Sequence, residues 1–269
     1  MSTKAVSYVV PKLKKIDEKG VLKAARIARD ALLLRLRACA WLLWIPYYLI
    51  DYVAEGISFR VERKIAVNAL IANEIFRRLD LERIYVLNSK ILKHKRSYGI
   101  IGGHSFEAIA EPQYLDAEYI LYGFLDLRRS IEVKLSELES KSSEEGSKFS
   151  TISSLLASVF LPPLALLHGV AGEGLEKRSK LWLIKMILDQ LGIRPETQHY
   201  IVLGKELIYF PVVVVKTFYQ RGSISFSRYQ VVDLVEMKID TLLTELITRF
   251  NFVKEIIESV LQQATPLEL

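Results

Sequence analysis

The chain has 269 residues, of which 51% are hydrophobic and 25% are charged. This composition excludes a disordered chain and a miniature domain held together by disulfides. Lysine and arginine exceed aspartate and glutamate by 37 to 31, and the net charge of +6 favours polyanionic partners such as nucleic acid or an anionic membrane surface. The single cysteine, Cys39, lies in an apolar run, so we expect no disulfide framework and a reducing, cytoplasmic setting.

Amide side chains are scarce, with four asparagines and seven glutamines beside abundant isoleucine, leucine, glutamate and lysine. Because asparagine and glutamine are labile at high temperature, this bias is typical of proteins from thermophiles. We therefore expect a thermophile protein.

The first predicted element is a long amphipathic helix over 11–43, whose apolar positions recur every three or four residues with lysine and arginine between them. The pattern then alternates as in strands, and Glu55-Gly56 separates two β-rich runs. The segments 45–54 and 57–66 are therefore predicted to form a hairpin. A helix over 67–81 follows.

The middle of the chain is predicted to hold short strands at 83–88 and 91–94 and a second long helix at 114–139. The stretch 141–149 is rich in serine, lysine and glutamate, which predicts a linker or mobile loop.

The segment 149–172 is uncharged and long enough to cross a bilayer. Pro162-Pro163 would interrupt the hydrogen bonds of a helix near its middle, so we favour a buried hairpin or broken helix. A membrane contact is the alternative. The remaining predicted elements are a helix at 175–191, strands at 199–203, 207–218 and 223–233, and a last helix at 236–262.

Two segments resemble each other. Pro46 and Pro211 each precede an apolar strand, a glycine-containing turn, an Ile-Ser-Phe run and a helix. Aligning Ile57-Ser58-Phe59 with its counterpart at 224–226 needs a shift at the turn, and chance resemblance is the alternative. Because proline cannot donate to a strand ladder, both prolines are predicted to lie at sheet edges or bulges.

These elements predict an α+β fold made of two related helix–β-hairpin–helix halves, with an antiparallel sheet packed by long amphipathic helices. The expected division is an N-terminal half over 1–140, a linker over 141–149 and a C-terminal half over 150–269.

The best candidate site is basic and carries one aromatic residue, a combination that could contact phosphates and stack a base. We predict nucleic-acid binding there, at the tip of a hairpin, through Lys90, Lys93, His94, Lys95, Arg96 and Tyr98. A solvated hairpin tip is the alternative. The lysines at 12, 14 and 15 form a second candidate.

No motif predicts catalytic, cofactor-binding or metal-ligating residues. The loop at Gly102-Gly103 lacks the lysine of a P-loop, and the four histidines have no zinc-ligand spacing. Glu-x-Lys patterns, which occur in one class of nuclease, begin at Glu62, Glu132, Glu139 and Glu236, but a chain rich in both residues produces them by chance.

The sequence therefore favours a non-catalytic binding or assembly protein, an adaptor or complex subunit with a protein partner or a second copy of itself, that contacts nucleic acid. One alternative is a peripheral membrane protein that uses 149–172 and the basic N-terminal helix. The other is a metal-dependent nuclease or hydrolase.

Overall fold

The computed structural model describes residues 3–13, 15–30, 37–70, 90–91, 93–144, 173–221 and 224–269. Within these ranges the protein is mixed α+β, with one nine-stranded sheet and five helices of nine residues or more. The strands are β1 (Lys4–Val9), β2 (Ala38–Gly56), β3 (Arg60–Asn68), β4 (Lys95–Ile101), β5 (Glu107–Ile109), β6 (Thr197–Arg221), β7 (Ile224–Asp233), β8 (Lys238–Ile239) and β9 (Leu267–Glu268). The helices are α1 (Glu18–Asp30), α2 (Ala117–Glu144), α3 (Glu173–Gln190), α4 (Thr241–Arg249) and α5 (Asn251–Leu261).

The sheet has the strand order β3-β2-β6-β1-β4. In addition, β5 and β9 pair with β2, β7 pairs with β6, and β8 pairs with β7. Two short strands run parallel to their long partners, since β1 pairs with β6 and β5 pairs with β2 in that sense. The β6–β7 pair is antiparallel from Val212↔Asp233 to Arg221↔Ile224.

The two long strands β2 and β6 lie side by side in the middle of the sheet. They run antiparallel, because Phe218 N donates to Arg37 O at one end while the rings of Tyr47 and Phe210 meet further along. Both strands are rich in β-branched and aromatic residues and are buried on both faces through their centres. The segments around both prolines are thus strands, as predicted.

The prediction of sheet-edge positions at the start of strands for Pro46 and Pro211 is wrong, because each lies inside a central strand. On β6 the pairing with β1 stops at Tyr209 and that with β7 begins at Val212, so Pro211 falls between two partners. The carbonyl of Pro46 likewise accepts from Ala69 N, just after β5 has ended. A residue without an N–H fits such a junction because no ladder donor is needed there.

Helices cover both faces of the sheet. On one face α1 packs through Val21, Ala24, Ala25 and Ala28, all fully buried, against β2 and β6. On the other face α4 and α5 pack against the alternate residues of the same strands. The alternation of side chains along a strand thus separates two apolar layers.

Contacts divide the chain into two compact units, one formed by Met1–Asp51, Lys64–Leu115 and Gly204–Leu269, the other by Tyr52–Arg63 and Asp116–Leu203. The second unit contains α2 and α3, which are linked by an ion pair from Arg128 Nε to Asp189 Oδ1 at 2.7 Å. The hydroxyl of Tyr52 donates to Leu191 O at 2.5 Å.

Several predicted boundaries are wrong. Of the helix predicted over 11–43, Glu18–Asp30 is helical as α1, whereas the described residues before it are not helical and strand β2 already begins at Ala38. The helix predicted over 236–262 is two helices separated at Phe250, and Asp240 caps the first by accepting from Leu243 N. The two strands predicted over 199–218 form one strand, β6.

The linker predicted over 141–149 is helical at 141–144, where α2 continues. The helices predicted at 114–139 and 175–191 and the strand at 223–233 are confirmed as α2, α3 and β7. The strand predicted at 83–88, most of the helix at 67–81 and the apolar segment 149–172 lie outside the described residues. Within the described part of the chain, none of the helices combines the length and apolar character needed to cross a bilayer.

Candidate nucleic-acid interface

The predicted basic segment does not form a hairpin tip. Lys90, Ile91, Lys93 and His94 are helical, and Lys95–Ile101 forms β4, which pairs with β1. The strand predicted at 91–94 is therefore wrong at the residues described there. The segment leads into the sheet instead of projecting from it.

Lys90 is bound within the fold. Its Nζ lies 2.7 Å from Asp233 Oδ2 and 3.1 Å from Glu236 Oε2, and its side chain is 15% exposed. Burial lowers the pKa of Lys90, but hydrogen bonds to Asp233 and Glu236 together with their charges outweigh burial and raise the pKa above its ordinary value. This lysine has little freedom to meet a phosphate.

Lys95 is paired in the same way with Glu206 of β6. Burial raises the pKa of Glu206, but hydrogen bonds from Lys95 and Ser7 and the charges of Lys95 and Lys64 outweigh it and lower the pKa. The second of the predicted cations thus also serves a contact between strands.

The other four predicted residues differ in what the structure describes. Lys93 is exposed and His94 is half-buried. Arg96 and Tyr98 belong to β4, and their side chains lie outside the described residues. The six residues therefore share one short segment, in which two cations are already neutralised by acidic partners.

A larger basic surface lies on α1 and the segment before it. The helix begins where Asp17 Oδ1 accepts from Gly20 N at 2.8 Å. Because its alanines and Val21 face the sheet, the opposite side of the helix faces solvent. The exposed cations of this surface, hereafter the α1 face, are Lys12, Lys15, Lys19, Lys23 and Arg26.

The cations of the α1 face have no acidic partner among the described residues. Other lysines of the same unit are paired, such as Lys4 with Glu111 at 2.5 Å and Lys216 with Glu258 at 3.1 Å. Lys19, Lys23 and Arg26 are spaced by four and three residues, so they line one side of the helix over about 10 Å. The α1 face is thus a group of exposed cations that form no ion pair within the described part of the fold.

Sequence reasoning assigned only the beginning of this surface to nucleic acid, through the lysines at 12, 14 and 15, of which Lys14 lies outside the described residues. It placed Lys19, Lys23 and Arg26 on the polar side of the predicted helix and offered that basic helix as a membrane contact. What the sequence did not show is which cations have acidic partners on distant strands.

Groups that could support catalysis are dispersed or engaged. Among the described residues, no three or more histidine, cysteine, aspartate or glutamate side chains are grouped so as to hold a metal ion. Of the Glu-x-Lys patterns, Glu132 pairs with Arg128 and Glu236 with Lys90. Gly102 and Gly103 have φ of 84° and 110°, values that glycine adopts readily in a turn.

Glu107, which follows this turn, is buried. Burial raises the pKa of its carboxyl, and backbone hydrogen bonds from His104 and Gly102 together with the charge of His104 oppose the rise. Its Oε2 has no hydrogen-bond partner of ordinary geometry among the described residues. A single carboxyl of this kind, without a grouped partner, does not define a reaction.

Comparison with protein-family models, with curated proteins and with solved structures finds no match to this chain.

Proposed function

We propose that this protein is a non-catalytic binding protein that contacts nucleic acid through the α1 face. The observation that carries the proposal is the row of exposed cations without acidic partners on α1. Phosphate backbones are bound mainly by such lysine and arginine side chains, with release of counterions. We also propose a role as an adaptor or complex subunit in the cytoplasm of a thermophile, for which composition and charge are the support.

Burial of the apolar side of α1 favours nucleic acid over a membrane. An amphipathic helix that lies in a bilayer must insert its apolar side between lipids. In α1 that side, which includes Val21 and Ala25, is fully buried against the sheet. Only the cations on the opposite side of the helix are available to bind a partner, and they fit a polyanion with regularly spaced charges.

The test is a titration of a fluorescently labelled oligonucleotide, followed by anisotropy over a range of salt concentrations. We expect the affinity to fall with salt with a log–log slope of about −4, as five phosphate contacts imply. Replacing Lys19, Lys23 and Arg26 by glutamine should lower the affinity about a hundredfold at low salt and make the slope shallower by about 2.

Vesicles of anionic phospholipid provide the second arm of this experiment. If the protein binds vesicles and ignores oligonucleotides, or if the triple variant binds nucleic acid as tightly as the parent, the proposal is wrong. The variant changes exposed side chains only, so its thermal unfolding should match that of the parent.

We propose in addition that the chain is built from two related halves, each contributing a short strand, a long strand and its hairpin partner. The correspondence follows fixed separations in sequence. Pro46 and Pro211 are as far apart as Asn68 and Asp233. Counted this way, positions 57–58 match positions 222–223 in the sequence, so no shift is needed and the two Ile-Ser-Phe runs are not equivalent.

Matching hydrogen bonds support this proposal. Ala69 N donates to Pro46 O at 2.8 Å, and Leu234 N donates to Pro211 O at 3.4 Å. The side chain of Asn68 accepts from the second residue after it, as does that of Asp233. Such paired turns follow both hairpins at the same position.

The short strands extend the correspondence. Lys12 N donates to Leu234 O at 2.8 Å, and Gln113 N donates to Ala69 O at 2.7 Å. These donors follow β1 and β5, and each comes directly after a proline, Pro11 or Pro112. Because β1 pairs with β6 while β5 pairs with β2, each half lends its first strand to the long strand of the other.

This exchange of strands can be tested by splitting the chain after Gly103, between β4 and β5, into fragments 1–103 and 104–269. Neither fragment should unfold cooperatively alone, because each lacks a strand that its long strand needs. Mixed together, they should form a one-to-one complex with the circular dichroism of the intact chain. A single fragment that folds by itself would refute the exchange.

A further inference from the structure

We infer that the nucleic acid bound at the α1 face is single-stranded, and that its bases stack on the ring pair of Tyr219 and Phe226. This inference rests on the proposed function. The α1 face supplies charge, which does not distinguish single strands from duplexes. The ring pair supplies a surface that only unpaired bases can cover.

The ring pair lies on the same face of the sheet as α1. Val213 and Val215 of β6 pack beneath α1. Side chains two residues apart on a strand share a face, so Tyr219 is on this face as well. The register between β6 and β7 is unbroken from Val212 to Arg221, and Phe226 is directly opposite Tyr219.

The two rings are stacked at 5.1 Å between centroids with an angle of 5° between their planes. Phe226 is nevertheless 52% exposed, and Tyr219 is only half-buried. A phenylalanine in a strand normally buries its ring, because exposing it to water is unfavourable. A flat aromatic pair left at the surface offers a platform on which a base can stack.

Arg228 connects this platform to the helix-covered part of the sheet. It lies opposite Thr217 on the same face, is exposed, and is two residues from Phe226, about 7 Å along the strand. Among the described residues its side chain has no acidic partner. A cation beside an aromatic surface can hold a phosphate while the adjoining base stacks.

A duplex fits this surface poorly. In a duplex the faces of the bases are covered by their neighbours, so rings on a protein surface can reach only the phosphates or the groove edges. Single strands expose base faces, and proteins that bind them combine a basic groove with aromatic side chains. The α1 face, Arg228 and the ring pair together provide both features on one face of the sheet.

The test measures binding of one labelled sequence as a single strand and as a duplex at the same salt concentration. We expect the single strand to bind at least fivefold more tightly, and Phe226→Ala to lower its affinity about tenfold, since stacking contributes strongly for each base. Binding of the duplex should change less than twofold in this variant.

Phe218→Ala is the matched control. Phe218 is on the same strand as Tyr219 and is 43% exposed, but it lies on the opposite face of the sheet. It should leave both affinities within twofold. If Phe218→Ala weakens binding as much as Phe226→Ala, the effect is not stacking at the ring pair and the inference is wrong.

Phe226→Trp keeps an aromatic surface and guards against a misfolded alanine variant. It should bind the single strand as tightly as the parent, and its added indole fluorescence should be quenched when a base stacks on it. Unquenched fluorescence in the bound state would overturn the inference.

The two proposals fail differently. Suppose that replacing Lys19, Lys23 and Arg26 by glutamine abolishes binding, that the Phe226 variants bind as the parent does, and that the duplex binds as tightly as the single strand. The nucleic-acid function then stands and the single-strand inference is wrong. If the glutamine variant binds normally, the proposed function itself falls.

Discussion

Two basic regions of this protein look alike in sequence and differ in the fold. The segment at 90–96 and the α1 face each carry several lysines and arginines within a few turns of chain. In the first, Lys90 and Lys95 meet Asp233 and Glu206, which come from distant strands. In the second, none of the cations forms an ion pair with an acidic side chain of the described residues. A cluster of charge in a sequence therefore indicates a binding surface only after its distant partners are known.

The largest effect should come from Lys90→Met. Removing the lysine leaves the carboxylate of Asp233, whose side chain is 4% exposed, buried without its counter-charge. We expect the free energy of unfolding to fall by about 3 kcal/mol, as measured by urea denaturation. Lys23→Met on α1 is the control and should change it by less than about 0.5 kcal/mol. Equal losses of unfolding free energy at Lys90 and Lys23 would contradict the difference between the paired and unpaired basic regions.

The next largest loss of stability should come from a substitution at Gly99, in the strand that continues from the segment 90–96. A Cβ added to Gly99 of β4 would lie 1.9 Å from the ring of Tyr8, which itself packs edge-on against Trp44. Gly99→Ala should therefore lower the free energy of unfolding by about 2 kcal/mol through overpacking.

Gly204 provides the contrast for this prediction. A Cβ added there has no neighbour within 4 Å, so Gly204→Ala should be neutral or raise the free energy of unfolding by up to about 1 kcal/mol. Chemical denaturation of the two variants side by side tests the difference. If Gly99→Ala leaves the free energy of unfolding unchanged, the ring of Tyr8 does not pack tightly against β4.

A smaller effect should appear in the pH dependence of stability. The pKa of Glu206 is lowered in the fold from its ordinary value of 4.5, so its pairing stabilises the protein above pH 4.5 and is lost as the pH falls through the lowered value. Glu206→Gln should lower the free energy of unfolding at pH 7 by about 0.5 kcal/mol, since the pair is partly exposed. The deficit should shrink as the pH falls below 4.5, as followed by denaturation at pH 7 and at successively lower values. A deficit independent of pH would assign the effect to packing.

The smallest effect should be that of replacing Lys93, Lys95 and Arg96 together by alanine. Because Lys95 is already neutralised by Glu206, oligonucleotide affinity should fall no more than about threefold. The triple variant of the α1 face should lose about a hundredfold under the same conditions. Loss of comparable size in the two variants would return the interface to the segment first predicted from sequence.

The elements that sequence predicted well are those with a strong local pattern. Helix α2 and strand β7 follow from the pattern of their own residues, and α3 from the glycine and proline at 192 and 195 that end its run. The extent of the first helix could not be predicted in this way. Residues 38–43 continue the apolar run of the helix, but they belong to β2 and their side chains enter the apolar layers on its two faces. A short apolar run does not reveal by itself whether it is a helix or a central strand.

The candidate site was predictable only in part for the same reason. Charge and spacing were visible at Lys19, Lys23 and Arg26, whereas pairing across the sheet decided which cations remain free. The stacked pair of Tyr219 and Phe226 depends on strand register, which no local pattern fixes.

The prolines inside β2 and β6 also restrict how the sheet can assemble. If β1 slid along β6 toward β7, it would meet Pro211, which has no amide hydrogen to offer it. The same obstacle at Pro46 faces β5 on β2. Each proline thus fixes where the pairing of a short strand ends. It thereby excludes shifted strand registers that the repetitive valines of β6 would otherwise tolerate.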